Sequence, residues 1–149
     1  VARFRGVEHL MPTDAITADE LEACLDSEGI EVETGDVLLV RTGWHRVFGR
    51  DRTLWDSGEP GPDVACAEWL NAKGVVALGA DSPGVEWIPD RSAPLPLHPR
   101  ALRDYGILLI ENLDLEELAA DRVYEFFFAA SPVPLVNATG APVVPLALA

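Results

Sequence analysis

The stretch LHPRALRDYGILLIEN, residues 97–112, holds the two side chains best suited to chemistry, His98 and Glu111. An imidazole and a carboxylate form a frequent ligand pair for metals that drive hydrolysis, and the neutral ring is the form that binds. His98 stands just before a helical pattern, Pro99 to Tyr105, whose N-terminal partial positive charge disfavours an imidazolium. A neutral His98 is therefore expected. That helix would run roughly 10 Å at ~1.5 Å per residue. The apolar run Ile107 to Ile110, ending at Glu111, would return roughly 13 Å at ~3.3 Å per residue. The two lengths nearly cancel, so both residues arrive at one edge of the domain. Plainer readings stay open beside this one: His98 as a residue at a turn before a helix, Glu111 as a solvated charge ending a strand.

Two further apolar runs bring other residues to the same edge. Val37 to Val40 leads to Thr42, Gly43 and Trp44, and VVALGAD ends in Asp81. If the three strands are parallel, Thr42, Trp44, Asp81, His98 and Glu111 share the edge where open α/β sheets bind ligands. Asp81 also reads as a turn cap. Trp44 and Trp87 fall in loops and would line a pocket, Trp69 falls in a helix and reads as core, and His9 and His45 read as surface residues.

The elements that position these residues alternate. After an irregular or strand-like arm over 1–15 comes TADELEACLDSEG, a helix with Thr17 as N-cap, Glu20 completing a capping box and Gly29 as the stop. Residues 44–61 read as a long polar and aromatic connection. PDVACAEWLNAKG is a helix with Pro62 in its first turn and Gly74 at its end. SPGVEWIPDRSAPLPL is a Pro-rich loop, DLEELAADR a short helix, VYEFFFAAS a strand, and the tail a Gly/Pro turn between strand-like runs. The runs Val37–Val40 and Ile107–Ile110 are apolar throughout, as in strands buried on both faces. The alternation predicts an α/β fold with a partly parallel sheet.

With 149 residues the chain suffices for one domain, 1–149, comprising an arm and helix over 1–35 and a core over 36–149. Its net charge of −14 argues against nucleic acid and anionic membrane as partners, since both need a basic surface. Two cysteines, Cys24 and Cys66, are too few for a disulfide framework and read as buried thiols in a reducing, cytoplasmic setting. No stretch is long and apolar enough to span a bilayer.

Four segments, GDVLLVRTGW, GVVALGADSPGVEW, PLHPRALRDYGILLIENLDLEELA and NATGAPVVPLALA, in this order, resemble the cyclase family of metal-dependent hydrolases, which includes kynurenine formamidases and isatin hydrolases. The resemblance implies a swivelling β/β/α-type α/β domain, assembly as a homo-oligomer, and hydrolysis of amide or ester-like bonds in a small-molecule substrate with Zn or Mn. It implies that His98 and Glu111 are the metal- or substrate-facing pair, that Thr42, Gly43, Trp44 and Asp81 line the pocket, and that Gly140 lets the backbone approach it. The family's main metal motif, His-x-Gly-Thr-His-x-Asp-x-Pro-x-His, matches none of the three histidines. Gly84 and Glu86 stand where the family tends to carry serine and aspartate. The chain, opening on VARFRGVEHLMP, thus resembles the C-terminal portion of a member, completed by an N-terminal segment or partner chain bearing that motif. The competing reading is a truncated, non-catalytic paralogue that serves as a binding or assembly subunit.

Overall fold

The computed structural model describes residues 1–149. After β1 (Ala15–Ile16), helix α1 (Ala18–Glu28) starts where predicted: Thr17 Oγ1 accepts the Glu20 N–H at 3.2 Å and Gly29 closes the helix in the left-handed region. The Glu20 carboxylate does not close the capping box. It pairs with Arg5 of the arm at 2.6 Å instead.

Strands β2 (Val37–Val40), β4 (Ala77–Ala80) and β5 (Leu108–Ile110) form one parallel sheet in the order β2-β4-β5. Val37 stands opposite Ala77 and Ala77 opposite Leu108. The central strand β4 is buried throughout, as its apolar run requires. The two edge strands are not. β2 is mostly half-buried and Leu108 of β5 is 64% exposed. Their runs predicted burial on both faces, but an edge strand gains neighbours on one side only, and within this chain part of their apolar surface stays open.

Between β2 and β4 the predicted connection 44–61 contains two one-turn helices, α2 (His45–Phe48) and α3 (Arg52–Trp55). Four-residue helices are too short to show a 3.6-residue period. The Asp51 carboxylate caps α3 by accepting the Leu54 N–H at 2.9 Å. Pro62 belongs to β3 (Gly61–Pro62), which pairs with β1, rather than to the first turn of a helix. Helix α4 (Cys66–Lys73) starts later, because Asp63 Oδ1 accepts the N–H groups of Ala65 and Cys66.

Pro99–Tyr105 is helical as predicted but wound as a π-helix, with Gly106 donating to the Ala101 carbonyl. Helix α5 (Glu116–Asp121) follows β5, and β6 (Phe127–Ala129) pairs antiparallel with β7 (Leu146–Leu148) in an exposed tail. The main core gathers Ile16 of β1, Leu21 of α1, Leu70 of α4 and Leu78 of β4 with Ala101 of the π-helix and its flanking residues Leu97 and Ile107. A smaller cluster holds Trp44, Val47 and Trp55. No helix is long and apolar enough to cross a membrane.

Candidate active site

Because β2, β4 and β5 are parallel, the residues that follow them meet at one edge. Two groups form there. The first is a closed cage. Asp81 Oδ1 accepts the Thr42 N–H at 2.8 Å and the Thr42 hydroxyl at 2.6 Å, and Oδ2 accepts the Gly43 N–H at 2.7 Å. The Trp44 N–H donates to Thr42 Oγ1 at 3.2 Å. Thr42, Asp81 and Trp44 are fully buried. Burial pushes the Asp81 carboxyl up, and the three donors pull it back down. The cage fastens the end of β2 to the end of β4. Its polar atoms face one another, so Thr42, Gly43 and Asp81 do not present them to a ligand. Trp44 does not line an open pocket either: its ring is buried and stacks on Trp55 with centroids 6.0 Å apart.

The second group is open. The π-helix and β5 return the chain as their lengths demanded, leaving His98 Nε2 3.6 Å from Glu111 Oε1. On its other side the His98 ring meets Glu86, whose Oε1 lies 2.6 Å from Nδ1 and 3.0 Å from the His98 N–H, while Oε2 accepts the Leu97 N–H at 2.8 Å. Glu86 is buried, His98 is 22% exposed and Glu111 is 45% exposed. The Glu111 carboxylate first, and the Glu86 carboxylate next, push His98 up to about 9. The expected neutral ring is thus corrected: two flanking carboxylates outweigh the partial charge of one short helix, and the free ring is an imidazolium at neutral pH.

Nearby, Glu59 is fully buried, and burial pushes its carboxyl up. It accepts the Gly84 N–H at 2.6 Å and faces Arg91 at 3.3 Å. Glu59 carried no sequence signal, since it sits in an irregular loop where no period reports burial; Glu86 stood out only as a position where the family tends to carry aspartate, with nothing local to report its burial. Trp87 is half-buried and donates its Nε1–H to the Pro12 carbonyl at 2.8 Å. Trp69, expected in the core, is only partly covered and donates to Glu22. His9 and His45, expected at the surface, are half-buried, His9 against the Trp44 ring. Gly140 lies in the exposed tail, and a Cβ there would meet nothing within 4 Å, so the close approach expected of it is absent within this chain.

His98 Nε2 and Glu111 Oε1 fit a shared divalent ion. At 3.6 Å apart, the imidazole nitrogen and the carboxylate oxygen would be close enough to hold one such ion between them. No cluster of three or more His, Cys, Asp or Glu residues suited to a metal occurs in the chain. This edge offers two candidate ligands, one short of the usual three protein ligands of catalytic zinc.

The Cyclase family model matches residues 4–87, more than half of the sequence. The chain belongs to the cyclase family. It is 35% identical over 138 residues to a kynurenine formamidase of Geobacillus thermodenitrificans, covering 92% of this chain and 58% of that protein. It is 28% identical over 146 residues to an isatin hydrolase of Roseibium aggregatum, covering 92% and 53%. The crystal structure of a novel cyclase superposes with a TM-score of 0.89 at 30% identity, over 99% of this chain and 51% of that one. A structure described as a potential metal-dependent hydrolase with cyclase activity gives 0.64 at 25% identity, over 90% and 58%. The chain thus spans about half the length of the curated relatives it matches. These likenesses confirm the α/β class with its parallel sheet.

Proposed function

We propose that this cyclase-family chain is the C-terminal portion of a metal-dependent hydrolase that cleaves an amide, a cyclic amide or an ester or lactone bond in a small molecule. The observation that carries the reading is the pair His98 Nε2 and Glu111 Oε1, 3.6 Å apart and open at the C-terminal edge of the sheet. The chemistry of the formamidase and isatin hydrolase relatives supports the bond class. When bound, Zn or Mn would lower the pKa of water and polarise the scissile carbonyl. His98 and Glu111 would hold the ion, and Glu86 would keep the imidazole aimed. The Asp81 cage, with Thr42 and Gly43, would fix the neighbouring loop, and Trp44 and Trp87 would stiffen the walls behind it.

The remaining ligands would come from a preceding segment or a partner chain with the His-rich motif. A groove of about 450 Å³ supports a docking partner of this kind. Leu38 and Leu39 of β2, Leu118 of α5 and Phe126 to Phe128 line it, and neither His98 nor Glu111 does. It is therefore read as a covering surface and not as the substrate pocket. Exposed apolar residues of the tail, among them Val136 at 92% and Leu146, suit assembly as a homo-oligomer. The net charge of −14 disfavours nucleic acid, and the two buried free thiols suit a reducing, cytoplasmic setting.

The test combines denaturing intact-mass spectrometry of the purified protein with hydrolysis of N-formylkynurenine and of isatin, with Zn or Mn. Turnover is expected only where the His-rich motif accompanies this chain, and His98→Ala should abolish it. A preparation of this chain's mass alone, inactive under every metal, would favour a non-catalytic binding subunit, a reading that the two-ligand set also supports.

A further inference from the structure

We propose that Glu86 is the positioning residue for His98, holding the proton on Nδ1 so that Nε2 is the bare nitrogen facing Glu111. The proposal rests on the reading of His98 and Glu111 as a ligand pair, and it assigns a role to a residue outside that pair.

Three observations carry it. First, Glu86 Oε1 lies 2.6 Å from Nδ1, a full angstrom closer than Glu111 Oε1 lies to Nε2 at 3.6 Å. An ionised carboxylate only accepts hydrogen bonds. A neutral ring with its proton on Nε2 would set the Nδ1 lone pair against that acceptor at hydrogen-bond distance, and the Nδ1–H form removes the conflict.

Second, the carboxylate is itself fixed. It is 1% exposed and bonded to the N–H groups of Leu97 and His98, and its ion-pair partner is His98. Those two backbone bonds leave it no freedom to follow a rotating ring. A buried carboxylate that lacks a lysine or arginine partner is costly unless its bonds serve a purpose.

Third, the backbone is strained at the residue before it. Val85 is fully buried with φ +64°, a left-handed conformation that a β-branched residue rarely adopts. Gly61 packs against the same bend, where a Cβ would come within 2.5 Å of the Glu86 carbonyl carbon. Strain of this kind persists where the surroundings over-determine a position. Here the outcome is the aim of the Glu86 side chain. Ligating histidines commonly donate their second N–H to such a partner, which fixes ring and tautomer.

The experiment is long-range 1H–15N NMR of His98 in the metal-free chain, above the pH at which the ring loses its second proton. The Nδ1–H form is expected to dominate in the wild type. In Glu86→Gln one oxygen can no longer serve all three donors, and the Nε2–H form should gain. On Zn titration the wild-type Nε2 resonance should shift, and Glu86→Gln should need roughly 10–100-fold more metal. A dominant Nε2–H form in the wild type, or a tautomer ratio unmoved by Glu86→Gln, would overturn the proposal. If Glu86→Gln does not fold, the wild-type spectrum decides alone. An Nδ1–H ring whose Nε2 ignores Zn would support the positioning role and count against the ligand reading, so the two fail separately.

Discussion

Asp81 and Glu86 are both buried acids at the same edge of the sheet, and each accepts three hydrogen bonds, yet the two networks end differently. Those of Asp81 end within Thr42 and Gly43, and nothing in the cage reaches solvent. Those of Glu86 pass through a titratable ring to Nε2, which faces a half-exposed carboxylate. The first network joins two strands. The second sets the direction of the His98 ring. Burial and the number of bonds do not separate these roles; where the network terminates does.

The sharpest way to break the comparison is to remove the cage. Asp81→Ala would strand two buried backbone N–H groups and a buried hydroxyl. We expect a loss of roughly 3–5 kcal/mol in urea unfolding, a large part of a typical domain's stability. A loss below about 1 kcal/mol would mean that β2 and β4 do not need this staple.

The His98 network responds to pH instead. His98 titrates at about 9 in the folded chain and near 6.5 unfolded, so its protonation favours the folded state. The stabilisation is fully present below about pH 6.5 and fades as pH rises through about 9, with an upper size of roughly 3 kcal/mol. Metal-free wild type should therefore lose its advantage over His98→Gln between about pH 6 and about pH 10 in urea unfolding. A constant difference would mean that the carboxylates do not hold the charged ring.

Much of this was readable from the residues and some was not, for physical reasons. Continuous apolar runs marked β2, β4 and β5, and cap residues at Thr17, Gly29 and Gly74 marked helix ends, because these signals are local. The meeting of His98 and Glu111 followed from element lengths alone. The closed state of Asp81 did not, since a carboxylate after a strand looks the same whether it faces backbone or solvent. The family comparison drew attention to Glu86, but not its burial against His98, because a bend at Val85, with no periodic pattern, turns it inward. The charge on His98 did not follow either: the helix dipole favours a neutral ring and Glu111 alone was in view, while the second flanking carboxylate, Glu86, comes from the preceding loop.

That bend offers a smaller test. Gly61→Ala would drive a Cβ into the backbone at Val85 and Glu86, both at 2.5 Å, with no flexible side chain to give way. We expect a cost of about 2 kcal/mol in thermal unfolding. If the loop yields, the Glu86 carboxylate moves and the His98 tautomer bias falls with it. A cost with no change in the ring would separate packing at Gly61 from the aim of Glu86.

The smallest effect on stability, and the most telling, should come from Glu111→Gln. The side chain is 45% exposed and faces His98 at 3.6 Å, so solvent screening cuts its share of the His98 stabilisation well below the upper size, and its loss should change unfolding by about 1 kcal/mol. It should nonetheless move His98 downward from about 9, because the Glu111 carboxylate is the largest cause of that rise, and NMR titration of the ring would read it. It should also weaken metal binding by more than the roughly 10–100-fold expected of an outer partner, since on the proposed reading a ligand and not its support is lost. Asp81→Ala reverses that profile: a large loss of stability with no ligand removed. A variant of Glu111 that destabilised the fold while leaving metal binding intact would place it among the structural acids and leave His98 without its partner.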